Sequence, residues 1–126
     1  MLTNILLVSL GGAVGATLRF TITPHIDKLF NSNFPFGIFV INIFGCFFIG
    51  LLVSFFENRL MLPESLKIFL IIGFLGSLTT FSTFALDNFN LLNQKDFYFL
   101  FLNLFFTNFI GVVMVFVGIK AIKILS

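Results

Sequence analysis

Charge is what this sequence has least of. Five acids and seven bases are spread over 126 residues, 10% of the chain, where an ordinary soluble domain carries roughly 25%. The net charge is only +2, and no run of Lys or Arg is long enough to grip nucleic acid or an anionic lipid surface, so nucleic-acid partners are excluded. Cysteine is nearly absent as well. The lone Cys46 excludes a disulfide framework within one chain and any multi-cysteine metal site, and its expected role is that of a small hydrophobe. The single histidine, His25, reads as a loop residue, and the first, second and fourth apolar stretches contain no acid. No catalytic set can be assembled from such material, so the chain is not expected to be an enzyme.

What fills the space is apolar: 59% of residues are hydrophobic and the mean hydropathy is +1.15. Crossing the hydrocarbon of a bilayer takes about 20 apolar residues, a length met by Leu2–Ile22, Phe36–Phe56, Leu66–Phe89 and Phe97–Ile119. Turn residues separate these stretches: Pro24 and Asp27-Lys28, then Asn33-Phe34-Pro35, Pro63-Glu64, and Gln94-Lys95-Asp96. The first span has no basic leader and no small-residue cleavage site, and is expected to stay as helix one. The fold class expected is an all-α integral membrane protein, one four-helix domain over residues 1–126, with connectors too short for a soluble module.

Four spans put both termini on one side of the membrane. Arg59, Lys67, Lys120 and Lys123 then face one compartment, while Arg19, Lys28 and Lys95 flank the other. Four against three barely biases insertion. Two readings are open: termini inside by that slim margin, or insertion in both orientations with oppositely oriented copies pairing.

The polar groups within the spans are few enough to weigh singly. Helix one carries "GGAVGATLRF", where Gly11 and Gly15, like Gly12 and Ala16, stand four apart and permit close helix packing. Arg19 in the same stretch either snorkels to the headgroups or sits at the mouth of an aqueous vestibule, where it would concentrate anions. In "FGIFVINIFGCFFIG" the amide of Asn42 lies near mid-membrane, and either bonds a neighbouring helix or turns its donors to a dehydrated anion. Asn103 and Thr107, one turn apart on a face continued by Gly111, form a polar stripe with Asn108 displaced around the helix. Such a stripe glues helices together or lines a path.

Helix three is the unusual one. "GFLGSLTTFSTFALDNF" places Gly73 and Gly76 before a dense run of Ser and Thr, residues that compete for the backbone. Either the hydroxyls bond their own i−4 carbonyls and the helix bends, or it breaks near its middle. A break at this depth is tolerated only when buried or lining a cavity, and it frees carbonyl oxygens able to hold a cation. Phe81 and Phe84 share a face beside these hydroxyls, and their ring edges are electropositive.

Taken in order, "GGAVGATLRF", "FGIFVINIFGCFFIG" and "GFLGSLTTFSTF" resemble the Fluc family of small fluoride channels, also called CrcB, with TTFSTF the most specific string. The resemblance covers the whole chain. It implies a passive, fluoride-selective channel in the inner (plasma) membrane, an antiparallel dual-topology homodimer with two pores and a central structural Na+ at the dimer interface. By the same resemblance, the backbone carbonyls of Gly76 and Thr79 would hold Na+, four oxygens coming from two chains. Phe81 and Phe84 would turn their edges to fluoride, with Asn42 as a donor, Ser82 and Thr83 as secondary hydroxyls, Thr107 on the pore wall and Arg19 at the vestibule.

Three positions depart from the pattern or strain it. Ile38 stands where the family often has Thr, and Asn103 where it often has Tyr. Asp87 falls where an acid is usual but is shorter than Glu, and no pore role is assigned to it. Two other classes compete. A small multidrug transporter also uses four dual-topology spans, but that family needs a carboxylate inside helix one, which is missing here. A non-conducting accessory subunit would explain packing but pass no ion.

Overall fold

The computed structural model describes residues 1–58 and 62–125, so Arg59, counted above among the basic residues of one compartment, lies outside the described residues. The elements are α1 (Leu2–Phe30), α2 (Phe36–Asn58), a composite third span, and α6 (Phe97–Leu125). The third span consists of α3 (Glu64–Lys67), a π-helical stretch (Ile68–Leu75), α4 (Gly76–Leu78) and α5 (Phe81–Asn93). The described residues contain no strand, and four helical units are long and apolar enough to cross a membrane. This is a multi-pass membrane protein whose third span breaks at Thr79 and Thr80.

Helices outrun the apolar stretches that announce them. Pro24 and Asp27-Lys28 were expected to end the first helix, yet α1 continues through them to Phe30. His25 therefore sits in a helix and not a loop, with Nδ1 2.7 Å from Thr21 O. The physical reason is length. At 29 residues, α1 is about 43 Å long at 1.5 Å per residue, well beyond the roughly 30 Å of hydrocarbon. The bond that Pro24 removes thus falls in the part of the helix that can reach water. Nearby, Thr21 Oγ1 donates to the carbonyls of Thr17 and Leu18 at 3.0 and 3.1 Å.

Polar side chains close the turns. Asn31, in the left-handed region at φ 43°, ends α1 by donating its N–H to Asp27 O. Asp27 Oδ1 accepts the N–H of Gly37 at 2.7 Å, tying the end of α1 to the first turn of α2, where amides lack helical acceptors. Asp96 Oδ1 plays the same part for Phe99 N at the start of α6.

The spans pack through glycine. α2 lies chiefly on α6, and α1 on the π-helical stretch. A Cβ at Gly118 would strike Phe47 O, and one at Gly15 would strike Phe74 O, so both crossings are backbone on backbone. This is the close approach that the Gly11/Gly15 spacing predicts. The buried core is small, centred on Ile41, Leu75 and Leu78. Large apolar side chains such as Phe101, Phe105 and Phe109 cover the outside of α6, as a helix facing lipid requires.

Candidate functional site

The break is made by two extended residues. Thr79 (φ −78°, ψ 154°) leaves α4, and Thr80 (φ −151°, ψ 123°) enters α5. Extended backbone in a membrane must find partners outside the helix, and here one side chain supplies both. Asn42 of α2 donates from Nδ2 to Thr80 O at 3.1 Å, and its Oδ1 accepts from Thr80 N at 2.9 Å. Thr80 Oγ1 in turn caps α5 by accepting from Thr83 N at 3.2 Å.

These diversions decide which carbonyls are released. In an unbroken helix Gly76 O would accept from Thr80 N, which goes instead to Asn42; Thr79 O would accept from Thr83 N, which goes to Thr80 Oγ1. Gly76 O and Thr79 O are therefore free of their helical donors. Neutral carbonyl oxygens of this kind are suitable ligands for a hard monovalent cation, so the residues fit Na+. No cluster of three or more His, Cys, Asp or Glu occurs among the described residues.

At the break lies a cavity of about 390 Å³ whose wall includes Asn42, Thr79, Thr80, Phe81, Phe84 and Thr107. Gly76, Cys46 and Asn108 also line it. The two phenyl rings stand 5.8 Å apart between centroids, tilted by 47°. They differ in burial: Phe84 is 6% exposed and Phe81 77%. Phe84 is thus held by its own chain, whereas Phe81 projects from it.

The remaining sequence candidates fall elsewhere. Ser82 is exposed, 3.3 Å from Thr80 Oγ1. Thr83 faces a second cavity of about 300 Å³, shared with Arg19, Thr23 and Ile38. Arg19 Nε and Thr23 Oγ1 are buried there without a hydrogen-bond partner among the described residues, as is Asp87 Oδ2 on α5. The structure therefore brings Asn42, Phe81, Phe84, Thr107 and the Gly76–Thr79 segment together, and sets Arg19 and Thr83 on another side of the third span.

Two contributors were not singled out from sequence. Thr80 both receives the Asn42 clamp and caps α5. Asn88, 8% exposed, donates to Phe84 O at 2.9 Å and accepts from Asn103 Nδ2 at 2.9 Å. An amide four residues after Phe84, one turn along the same helix face, is the signal that could have found it.

Residues 6–119 match the model of the family described as CrcB-like protein, Camphor Resistance (CrcB). A protein of Azobacteroides pseudotrichonymphae named fluoride-specific ion channel FluC is 41% identical over 118 residues, 94% of each chain. Proteins of the same name from Desulfotalea psychrophila and Vibrio parahaemolyticus are 42% and 36% identical, over 91% and 90% of this chain and 88% and 89% of their own.

Proposed function

The chain belongs to the CrcB family, and from that premise we propose that it is a fluoride-selective channel releasing cytoplasmic fluoride passively down its electrochemical gradient. The observation that carries the reading is the cavity at the helix break, where Phe81, Phe84, Asn42 and Thr107 share one wall inside a membrane-spanning bundle. Fluoride is small and strongly hydrated, and phenyl edges with the amide of Asn42 beside them give it partial replacements for lost water. No proton relay is required of this chain.

The working unit we infer is an antiparallel homodimer in the plasma membrane, with two pores. Phe81 and Gly76 are exposed on one protomer although both line the cavity, which leaves its wall open on that side. A second chain in the opposite orientation would close it, and the near balance of basic residues permits that orientation. The released carbonyls of Gly76 and Thr79, met by their counterparts from that second chain, would hold Na+. When bound, the cation supplies positive potential that makes an anion path tolerable. Arg19, in the neighbouring cavity, would supply the same at the vestibule.

The test is fluoride efflux from liposomes holding the purified protein, followed with a fluoride electrode. Rapid release, with none of chloride from matched vesicles, is the expected result. A chain that assembles but releases no fluoride is an accessory subunit. Efflux that depends on an imposed proton gradient marks a transporter.

A further inference from the structure

One polar chain crosses from α5 to α6 behind the cavity, and its direction is fixed at one end. Asn88 Nδ2 lies 2.9 Å from the carbonyl of Phe84, which can only accept. The side-chain carbonyl of Asn88 must then point the other way, toward Asn103. Facing an acceptor, Asn103 has to present Nδ2, 2.9 Å away, and so turns its own Oδ1 to Thr107. Thr107 Oγ1, 2.9 Å from that oxygen, is left no option but to donate. Asn103 is 1% exposed and Asn88 8%, so water does not compete for these bonds.

A hydroxyl has one hydrogen and two lone pairs. Thr107 lines the cavity, but its hydrogen is spent on Asn103, and what it offers the cavity is lone pairs. These repel a bare anion and accept from water. We propose that Asn103 is a positioning residue that holds the Thr107 hydroxyl as an acceptor, so that fluoride passes this wall through a water of its hydration shell rather than by a direct hydrogen bond. The water gives one hydrogen to Thr107 Oγ1 and the other to the ion. The benefit is speed: a fixed donor at this point would hold the ion, whereas a fixed acceptor keeps it moving. The inference rests on the fluoride-channel reading above.

Fluoride efflux from liposomes tests it, using the purified full chain. Asn103→Leu removes the acceptor and lets Thr107 turn its hydrogen to the cavity. Asn88→Leu frees Asn103 to flip its amide, with the same consequence two links away. Each is expected to slow efflux about tenfold, the scale of one added hydrogen bond. Thr107→Val, combined with either change, removes the trap, and both double variants should run at the rate of Thr107→Val alone. Should Asn103→Leu fail to fold, Asn88→Leu/Asn103→Leu deletes donor and acceptor together and enters the same comparison. A double variant as slow as Asn103→Leu itself, or an Asn103→Leu protein at wild-type rate, overturns the inference while leaving the channel reading intact. Wild-type protein that releases no fluoride overturns both.

Discussion

Asn42 pairs with Thr80 as one strand residue pairs with another, its amide accepting the N–H and donating to the C=O of the residue that opens α5. A side chain on the second span thereby holds the break in the third. The bond that takes Thr80 N leaves Gly76 O without its helical donor. Whatever Asn42 offers an ion in the cavity is what remains after this commitment.

Asn42→Ala should therefore be costly to the fold as well as to flux. A backbone group left unsatisfied in the bundle costs about 1–3 kcal/mol; Thr80 N would be one, while Thr80 O, the N-cap carbonyl of α5, would lose one of its two donors. Thermal unfolding in detergent is expected to show a clearly lower midpoint, with fluoride efflux lost. Asn42→Asp should be no better, because it keeps the acceptor for Thr80 N but sets a second oxygen against Thr80 O. An unchanged unfolding midpoint for both variants would mean that the clamp does not hold the break.

How much of this could be read beforehand follows from the range of the interactions. The weakness of the third span near Thr79 was legible, because Gly, Ser and Thr compete locally with the helix wherever they cluster. The partner that fixes the break was not, since Asn42 lies 38 residues away and its amide was equally consistent with a role in ion binding. The π-helical winding of Ile68–Leu75 left no trace in its sequence, which is simply apolar. Pro24 misled for a different reason: a proline is a strong stop in a short soluble helix, but not in one that outruns the bilayer. The Asn88–Asn103 bond joins two spans, and neither residue's spacing announces the other.

Gly76 and Gly118 should respond differently to the same added methyl group. At Gly118 a Cβ meets Phe47 O and lies 2.7 Å from Leu51 N, backbone that cannot yield, so Gly118→Ala should prevent folding. At Gly76 the nearest atom is Ile71 O at 3.6 Å, an ordinary contact, so nothing within one protomer requires glycine there. Gly76→Val is accordingly expected to leave helicity intact and to abolish dimerisation and flux together, as size-exclusion profiles and circular dichroism would record. Thr79→Ser keeps the carbonyl and the Oγ1 bond to Leu75 O, and should be mild. Full activity in Gly76→Val with severe loss in Thr79→Ser would count against carbonyl coordination of a cation between two chains.

Orientation can be biased without touching the cavity. Asn31, Ser32 and Asn33 are exposed between α1 and α2, at the same end as Lys28 and Lys95. Two lysines introduced there should fix one orientation and remove the antiparallel partner, so that the variant is inactive alone. Co-expression with a form biased the other way should restore efflux. A singly oriented protein that conducts at the wild-type rate would eliminate dual topology.

The two phenylalanines at the break separate ring size from ring electrostatics, because their burial is so unequal. Phe81, 77% exposed, contributes little to the packing of its own protomer, whereas Phe84, 6% exposed, is part of it. If both rings only fill space, Phe81→Leu should be silent and Phe84→Leu should cost under about 1.5 kcal/mol, as volume-conserving apolar changes do. If their electropositive edges meet fluoride, removing either ring should cut efflux severely while the dimer survives, and Phe81→Leu should do so with no change in unfolding temperature. Phe44 is the control, since it is exposed on the wall of a wholly apolar cavity separate from the one that Phe81 and Phe84 line. We expect a large loss for at least one of Phe81→Leu and Phe84→Leu and little for Phe44→Leu. Near-normal efflux in all three would reduce the pair to packing, and would leave the second N–H of Asn42 as the cavity donor on which selectivity has to rest.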